Sequence, residues 1–396
     1  MIPVAEAVAR IAAAFSVVDA ETIAIGDAAG RVLAEDAVAR MTQPPDPVSS
    51  MDGYALRAAD APAPGTTLHV VGAAPAGHPF GGRVGQGEAV RIFTGGVVPK
   101  GADSIVIQED ASAQGDRVTL TVAANPARHI RAAGLDFTKG DVLRPAGKRL
   151  SARDLSLIAA GDIAQVRVRR RPRVVVAATG DELALPGAPH RPGGIVASSG
   201  YALAAMIARW GGETVDLGIL PDTAAAVASI ADKAQGADLI VTLGGASVGE
   251  HDLIQKALGP RGFALDFWKI AMRPGKPLIF GRLGGTPLLG LPGNPVSTLV
   301  CAILFLRPAI AAMLGTSEDA PIATARLMRD LKENDGRQDY VRARLETLDG
   351  ELFAEPFATQ DSSMLSVLAR ADGLIVRAPR APAAHTGEKV TVLMLE

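Results

Sequence analysis

The sequence has very little cysteine: Cys301 is the single one among 396 residues. One cysteine excludes a disulfide framework within the chain and zinc sites built on paired cysteines. Because Cys301 lies in the apolar run 299–304, it is predicted to be a small core residue. A chain without disulfides is typical of a reducing compartment, so we expect a cytoplasmic protein.

No charge of one sign dominates either. Lys and Arg number 40 against 42 Asp and Glu, which gives a formal net charge of −2. Such a balance produces no global field that would hold nucleic acid or an anionic membrane, so neither partner is expected. The basic run 167–173 has two interpretations, a nucleic-acid patch or a solvated linker at a domain edge, and we favour the linker.

Long apolar runs are absent too. The run 296–306 stops at Arg307, short of the roughly 20 residues that a transmembrane helix needs. An N-terminal apolar stripe at helical spacing contains Glu6 and Arg10, which is typical of an amphipathic helix and not of a secretory signal. The six histidines show no HExxH spacing and no GxSxG elbow is present, so neither catalytic zinc nor a serine nucleophile is indicated.

The composition and the pattern of predicted elements change along the chain, which predicts a multidomain protein of α/β and β class. A chain of 396 residues exceeds the roughly 250 residues at which single cores stop growing. Helical and mixed segments, 1–42 with 134–170, flank a Gly- and Pro-dense segment, 43–133, which we predict to be an inserted β-rich module. Alternating strands and helices predict a central parallel-sheet α/β domain over 171–315, and residues 316–396 predict a C-terminal β-barrel-like domain.

The most informative segment is the loop 269–277. It carries three cations, Lys269, Arg273 and Lys276, and its Pro274 and Gly275 forbid a regular helix through them. Cations fixed on such a loop suit a substrate with phosphate and a second oxyanion. A salt-bridged surface is the alternative.

A second motif, Leu-Pro-Gly-Asn-Pro-Val-Ser, occupies residues 291–297. Asn294 can cap the helix that starts there, and Pro295 suits its first turn. The helix amides could also bind an anion, and the sequence alone does not separate a cap from an anion site.

Three loops that directly follow predicted strands carry carboxylates: Asp181 and Glu182, then Asp222, then Glu250 and Asp252. Because parallel strands end at one edge of a sheet, these loops should converge, and their carboxylates would repel one another without a cation. Mg²⁺ fits best, since it takes oxygen ligands and substrate phosphate. The alternatives are local: a helix N-cap at the second loop and favourable helix-dipole contacts at the first.

The third loop begins with the Gly-rich segment 244–249, which comes after a buried strand and precedes a helix. Its backbone amides could approach an anion without interference from Cβ atoms. A tight structural turn is the alternative.

Six motifs resemble, in this order, those of the molybdopterin molybdenumtransferases, the MoeA family, which is related to the C-terminal region of gephyrin. They are MDGYAL at 51–56, TGGVVPKGAD at 94–103, TGDEL at 179–183, GGASVGEHD at 244–252, RPGKP at 273–277 and LPGNP at 291–295. The resemblance implies the four-part subunit above with a MoaB/Mog-like central domain. It also implies a homodimer whose active site lies between subunits, and a reaction of adenylylated molybdopterin with molybdate, assisted by Mg²⁺, that gives molybdenum cofactor and AMP.

The resemblance also implies roles for individual residues. The catalytic set would be Asp52, Thr94, Glu182, Asp222, Asp252, Lys269, Arg273, Lys276 and Ser362, with Glu182 and Asp222 as metal ligands. Substrate or molybdate contacts would be Gly244, Gly245, Ser247, Gly249, Pro277, Pro292, Gly293, Asn294, Arg337 and Arg342. The first two catalytic residues would come from the β module of the other subunit. Partners in the pathway would be the molybdopterin adenylyltransferase and molybdoenzyme-maturation proteins.

One departure from the family pattern concerns residues 197–199, which are Ala-Ser-Ser where many relatives have Asp-Ser/Thr-Asn. Two polar groups that could touch the substrate are therefore altered. Two other functions remain as alternatives, a molybdopterin adenylyltransferase-type activity and a non-catalytic molybdopterin-binding scaffold. The intact acidic residues Glu182, Asp222 and Asp252 argue against a decayed site.

Overall fold

A computed structural model describes residues 1–189, 191–244, 248–316 and 321–395, with backbone only for 248–252. The chain divides into two compact units. The large unit comprises Met1–Glu21, Gly30–Val32 and Arg169–Glu396, and the small unit comprises Thr22–Ala29 and Leu33–Val168.

The helices of the described residues are α1 (Val4–Ala13), α2 (Ala152–Ala160), α3 (Ser199–Arg209), α4 (Ala224–Ala228), α5 (Ile230–Lys233), α6 (Val248–Leu258), α7 (Pro295–Cys301), α8 (Arg307–Leu314) and α9 (Leu365–Leu368). The strands are β1 (Ala20–Ala24), β2 (Ala37–Val38), β3 (Val48–Ser49), β4 (Gly53–Leu56), β5 (Thr67–Ala74), β6 (Glu88–Ile92), β7 (Ser104–Ile107), β8 (Ala111–Gln114), β9 (Arg117–Leu120), β10 (Ile130–Arg131), β11 (Val142–Arg144), β12 (Gln165–Arg169), β13 (Arg173–Thr179), β14 (Leu183–Ala184), β15 (Ile195–Val196), β16 (Glu213–Leu220), β17 (Leu239–Leu243), β18 (Phe263–Phe267), β19 (Met272–Arg273), β20 (Ile279–Leu283), β21 (Thr286–Leu291), β22 (Ile322–Leu327), β23 (Gln338–Leu348), β24 (Glu351–Pro356), β25 (Gly373–Arg377) and β26 (Lys389–Met394).

The large unit is built on a six-stranded sheet of order β16-β13-β17-β21-β20-β18. The first four strands are parallel, as predicted, and β20 and β18 add an antiparallel edge. Alternate residues of β13 face opposite sides: Val174 and Val176 join the core that contains α3, while Val175 and Ala177 join the core that contains α4, α5 and α6. Helices therefore cover both faces of the sheet.

The C-terminal part of the large unit is a closed five-stranded barrel. Strands β23, β24, β22, β26 and β25 succeed one another around it, and the pairing of β23 with β25 closes the ring. The β23–β24 hairpin turns at Asp349 and Gly350, both with positive φ, which is the geometry that an Asp-Gly pair favours. Tyr340 and Leu374 of the barrel are buried in the same core as α3, so the barrel packs against the α/β domain.

A long apolar helix runs from Pro295 to Leu314 as α7, a π-helical segment (Ala302–Leu306) and α8. It continues past Arg307, so the prediction that this apolar segment is too short to span a membrane was wrong about its length. By length and composition it could cross a membrane, but 72% of its most apolar window is buried inside the protein. It is therefore a core helix, and α1 packs in the same core through Ala7 and Ile11.

The small unit contains a six-stranded sheet of order β7-β4-β6-β5-β9-β8. Its strands all lie within the predicted module 43–133. On either side of that segment, β2 pairs antiparallel with β11, so the chain leaves and returns at neighbouring positions. This arrangement gives the geometry of an insertion, while the four sequence-based boundaries stay predictions.

The sequence also predicts that residues 1 to about 40 are mainly helical and that a helix spans 223–235, and both predictions were wrong. Residues 1–42 hold one α-helix, α1, and continue as strands and turns, because the apolar stripe ends at Phe15 and the later part of the segment is interrupted by Gly26 and Gly30. The helix predicted over 223–235 is divided into α4 and α5 at Ser229, whose Oγ donates to the carbonyl of Ala226 at 2.7 Å. Such local bonds compete with the helical pattern.

The segment 150–154, Leu-Ser-Ala-Arg-Asp, predicts a helix start, and in the structure α2 begins there with a reciprocal capping box at Ser151. Asp154 accepts hydrogen bonds from the Ser151 amide at 2.8 Å and hydroxyl at 2.6 Å, and the amide of Asp154 donates to Ser151 Oγ. Arg144 Nε also donates to the carboxylate, which is buried. These bonds, that of the Ser151 side chain foremost, hold the pKa of Asp154 well below its usual range.

We expect Asp154→Asn to lower the free energy of unfolding by about 1–3 kcal/mol, the usual cost of a lost cap and an unsatisfied buried donor. Because the folded pKa of Asp154 is depressed, its contribution is present above its unfolded pKa of about 3.9 and is lost as the pH falls below that value. Chemical denaturation at several pH values measures this. Asp162→Asn, at an exposed position beyond α2, is the control; an equal effect of both variants, or a difference unchanged by acid, would contradict the prediction.

Candidate active site

A cavity of about 890 Å³ opens at the carboxyl ends of β13 and β17 in the large unit. The central domain and the C-terminal barrel both line it. Of the residues predicted for the site, those that line the cavity are Glu182, Gly244, Arg273, Lys276, Pro277, Pro292, Gly293, Asn294, Arg337 and Ser362. Of the remaining described ones, Asp222, Lys269 and Arg342 lie outside its lining.

The cation loop is anchored on the barrel. Its residues Met272 and Arg273 form β19, which pairs in parallel with Gln338 and Asp339 at the start of β23. The amide of Gln338 donates to the carbonyl of Ala271 at 2.8 Å. The segment predicted to be a loop is therefore partly a strand of the barrel sheet.

Replacing Gly275 in this loop would destabilise the fold. Its φ is +104°, which side chains rarely adopt, and a Cβ there would collide with Cys301 Sγ. Cys301 is fully buried, as predicted, and burial raises the pKa of its thiol. The cysteine therefore supports the loop from below as a core residue.

The three cations of the cavity differ in their partners. Arg273 donates from Nε to Asp339 Oδ1 at 2.6 Å and from Nη2 to Oδ2, and these bonds raise its pKa. Arg337 donates to Asp335 from Nη2 at 2.6 Å, which lowers the pKa of that carboxyl to about 2. Lys276 is exposed, and its ammonium group has no hydrogen-bond or ion-pair partner among the described residues; its carbonyl accepts from the Ile270 amide at 3.0 Å.

Lys269, the third cation of the predicted loop, lies elsewhere. Its Nζ is 3.6 Å from the centroid of the Trp268 ring. A cation over an aromatic face is stabilised by the ring quadrupole. Its position therefore supplies no charge to the cavity lining.

The first two acidic loops converge, as their positions after parallel strands predicted. The amide of Asp181 donates to Asp222 Oδ2 at 3.4 Å, and the amide of Asp222 donates to Asp181 Oδ1 at 3.3 Å. The cap of α4 is Thr223, whose Oγ1 accepts from the Ala226 amide, so the N-cap interpretation of Asp222 is wrong. Glu182 reaches the cavity from the same rim.

The described part of the Gly-rich loop ends at Gly244. Its φ is +84°, and a Cβ there would lie 2.8 Å from the carbonyl oxygen of Thr179. Close backbone packing thus accounts for this glycine. Gly245 and Ser247 lie outside the described residues, as do the side chains of Asp252 and the other α6 residues up to it, and Gly249 is described only as part of α6.

The start of α7 is joined to the barrel. Asn294 occupies the N-cap position but makes no side-chain cap bond; its Nδ2 donates to Ser362 Oγ at 3.0 Å. The amide of Val296 donates to the carbonyl of Ser362 at 3.2 Å. The predicted side-chain cap at Asn294 is therefore wrong, because a loop from another domain supplies the acceptor.

Sequence reasoning missed two contributors to this wall. Ser297 is buried and lines the cavity one turn into α7. Gln360 lines it from the barrel and is hydrogen bonded to Arg342. Ser297 stands inside the LPGNPVS motif, which could have drawn attention to it; Gln360 has no signal in the sequence, because its role comes from a tertiary contact.

Leu183, Ile195 and Val196 form a more apolar part of the lining, and the last two are 56% and 42% exposed. The Ala-Ser-Ser segment 197–199 comes next, at the start of α3, where Ser198 makes no side-chain cap bond. This part of the lining can therefore receive a flat ring system.

Asp52 and Thr94 belong to the small unit and lie together there. Asp52 Oδ1 accepts from the Thr94 amide at 2.7 Å and from its hydroxyl at 2.8 Å, and these bonds lower the pKa of Asp52. Beside them, the Arg91 guanidinium lies 5.0 Å from the ring centroids of both Tyr54 and Phe93. The carboxylate of Asp52 is thus held in place by the turn that contains Thr94.

The described residues contain no group of three His, Cys, Asp or Glu side chains that could hold a metal ion. The carboxylates available at the rim are Glu182 and the Asp181–Asp222 pair. Two carboxylates suffice for Mg²⁺, which completes its octahedron with water and substrate phosphate. The donor set therefore fits Mg²⁺ and excludes a closed all-protein site within these residues.

Comparisons with known proteins cover nearly the whole chain. Residues 2–161 match the MoeA N-terminal region (domain I and II), residues 175–312 match a probable molybdopterin binding domain, and residues 324–395 match the MoeA C-terminal region (domain IV). A molybdopterin molybdenumtransferase of Haemophilus influenzae is 36% identical over 94% of this chain and 93% of its own. Another of Nostoc is 34% identical over 95% and 89%.

A solved structure of the same fold is the molybdopterin biosynthesis MoeA protein from Pyrococcus horikosii. It has a TM-score of 0.86 and 30% sequence identity, and the match covers 100% of this chain and 99% of that one.

We expect Gly275→Ala to lower the free energy of unfolding by about 2–4 kcal/mol, from backbone strain and overpacking against Cys301. Adding Cys301→Ala should recover part of that loss, because it removes the colliding sulfur. Gly284→Ala is the matched control: Gly284 also has positive φ, but nothing lies within 4 Å of its Cβ position. Equal losses at both glycines, with no recovery in the double variant, would contradict the collision. Thermal and denaturant unfolding measure all of these variants.

Proposed function

This chain belongs to the molybdopterin molybdenumtransferase family, and from that premise we propose that its 890 Å³ cavity brings molybdate together with adenylylated molybdopterin. Its function is molybdenum insertion in molybdenum cofactor biosynthesis, and it is a transferase that uses molybdopterin and molybdate as substrates. The adenylyltransferase-type and scaffold alternatives are not favoured, because relatives with the transferase name match the chain over nine-tenths of its length.

One observation carries the proposal for the site. Lys276 lines the cavity together with the start of α7 and the barrel loop that holds Ser362, and its ammonium group has no acid partner among the described residues. The two arginines of the cavity are already balanced by Asp339 and Asp335. An oxyanion entering the cavity therefore meets its least compensated positive charge at Lys276.

The apolar part of the lining suits the other substrate. Ile195 and Val196 can cover a pterin ring, and Ser198 and Ser199 follow them in the chain and also line the cavity. With the pterin there and molybdate at Lys276, the dithiolene sulfurs would be held close to the metal oxyanion. Positioning two reactants in this way can supply a large part of the barrier reduction.

Glu182 and Asp222 would hold Mg²⁺ beside the phosphoanhydride, whose charge the ion would neutralise. Attack of water on a phosphorus atom of the anhydride would break its bridging P–O bond and give AMP and the phosphate of molybdopterin. No covalent enzyme intermediate would be needed. The protein's own part would be to orient the two substrates, with the carboxylates of Glu182 and Asp222 on the phosphate side. The hydrogen bonds that join the Asp181 and Asp222 loops support this assignment, as does the place of Glu182 in the cavity lining.

We further propose a homodimer in which Asp52 and Thr94 of one subunit complete the cavity of its partner. Their mutual hydrogen bonds fix a carboxylate on an exposed turn, a geometry suited to a partner's site. The protein would act in the cytoplasm, receive its substrate from the molybdopterin adenylyltransferase, and pass its product to molybdoenzyme-maturation proteins, with no nucleic-acid or membrane partner.

We expect Asp222→Ala to slow AMP release from adenylylated molybdopterin by roughly a hundredfold or more, since several kcal/mol of charge stabilisation would be lost. The assay is anaerobic turnover with molybdate and Mg²⁺, in which AMP and active cofactor are measured. Glu213→Ala, at the far end of the strand β16, is the control. Normal AMP release by Asp222→Ala would contradict the proposed role of Asp222 as a Mg²⁺ ligand. Absence of turnover by the unmodified protein would contradict the proposed function.

Lys276→Met should raise the KM for molybdate about tenfold or more, because a charge-assisted contact worth about 1.5–3 kcal/mol is lost. The exposed Lys256→Met on α6 should leave the KM unchanged and serves as the control. Steady-state kinetics with molybdate as the varied substrate provide the measurement. If both variants keep the KM of the unmodified protein, the oxyanion is bound elsewhere.

A further inference from the structure

Arg342 lies on the barrel strand β23 and is 1% exposed. Its Nε donates to Gln360 Oε1 at 3.1 Å, and its Nη1 donates to the carbonyl of Asp361 at 2.8 Å. Gln360 and Asp361 line the 890 Å³ cavity. Arg342 lines a second cavity of about 470 Å³, and Gln360 belongs to the lining of both.

Gln360 completes the link in the other direction. Its Oε1 also accepts from the Arg342 amide at 3.0 Å, while its Nε2 donates to the carbonyls of Arg342 at 3.0 Å and Phe357 at 2.9 Å. A side-chain amide therefore pairs with the edge of β23 as a backbone peptide would. The chain that leaves Gln360 toward the cavity is fixed on its barrel side.

On its cavity side the same loop is held by α7. The Ser362 carbonyl accepts from the Val296 amide, and Ser362 Oγ accepts from Asn294 Nδ2. Within the loop, Asp361 Oδ1 accepts from the Ser363 amide at 2.8 Å and hydroxyl at 2.6 Å. Arg342 therefore holds the carbonyl of Asp361, the residue before Ser362. Residues at the start of α7 hold the carbonyl and hydroxyl of Ser362 itself.

Burial removes water from the Arg342 guanidinium and thereby lowers its pKa. Its hydrogen bonds must offset the free-energy cost of this desolvation. Lysine would carry the same charge but not the planar fork that reaches Gln360 Oε1 and the Asp361 carbonyl at once. The geometry of the pair, more than its charge, is what the site uses. This is the arrangement of a residue that orients a neighbour.

We propose that Arg342 and Gln360 are a pair of positioning residues that set Ser362 against the start of α7. This role is distinct from the substrate contact implied for Arg342 by the family resemblance. The inference rests on the proposed function in one respect, namely that Ser362 contributes to oxyanion binding. The placement of Ser362 itself can be tested without activity.

The first test is hydrogen exchange of the Val296 amide in the full-length protein. Arg342→Lys and Gln360→Ala should each raise its exchange rate roughly tenfold, because the acceptor at Ser362 becomes mobile. Arg344→Lys, at an exposed position on the same strand, should not change it. Unchanged exchange in both Arg342→Lys and Gln360→Ala would overturn the proposal, whatever the protein catalyses.

The second test is a double-mutant cycle with Ser362→Ala. Arg342→Lys alone should raise the KM for molybdate about tenfold, with a smaller change in kcat. When Ser362→Ala is already present, adding Arg342→Lys should raise the KM less than about twofold, because the effects of coupled residues are not additive. The same change in both backgrounds would overturn the proposal, because Arg342 would then act independently of Ser362. Calorimetric titration with molybdate alone gives the same comparison if turnover is absent, and thermal unfolding checks that the variants fold.

Discussion

The arrangement of the cavity depends on one short strand pairing, that of β19 with the start of β23. Through it the cation loop of the α/β domain becomes part of the barrel sheet, and the Arg273–Asp339 bonds lie at the same register position. Because the barrel also buries Tyr340 and Leu374 in the core shared with α3, the two domains cannot shift without breaking packing as well as hydrogen bonds. A cavity lined by both domains therefore has fixed dimensions.

Charge balance then decides what the cavity can hold. Arg273 and Arg337 are compensated by acids of the barrel segment 335–339, so they shape the wall without presenting their full charge. Lys276 is left as the cation without a described partner, and the Asp181–Asp222 pair concentrates negative charge at the strand-end rim. Such an arrangement suits a reaction between an oxyanion and a phosphoanhydride, because two negatively charged groups must bind in one site without repelling each other.

Much of this could be predicted from local sequence, where the governing contacts are close along the chain. The strands 174–178 and 239–243, the helix start at Ser151 and the Asp349-Gly350 turn are explained by periodicity, capping and turn chemistry. What could not be predicted depends on residues far apart in sequence: Asp339 lies 66 positions from Arg273, and Ser362 lies 68 from Asn294. From the local sequence, Arg273 is expected to bind an anion and Asn294 to cap a helix. Only the tertiary structure shows that they bond to Asp339 and Ser362 of the barrel domain.

The central claim is that the space between Lys276 and the Ser362 loop is an oxyanion site. Anomalous diffraction at the molybdenum absorption edge, from crystals soaked in molybdate, tests it most directly. We predict a peak in the 890 Å³ cavity within contact distance of Lys276 Nζ and bounded by the Ser362 loop. Peaks confined to other surfaces, with none in the cavity at saturating molybdate, would contradict the account.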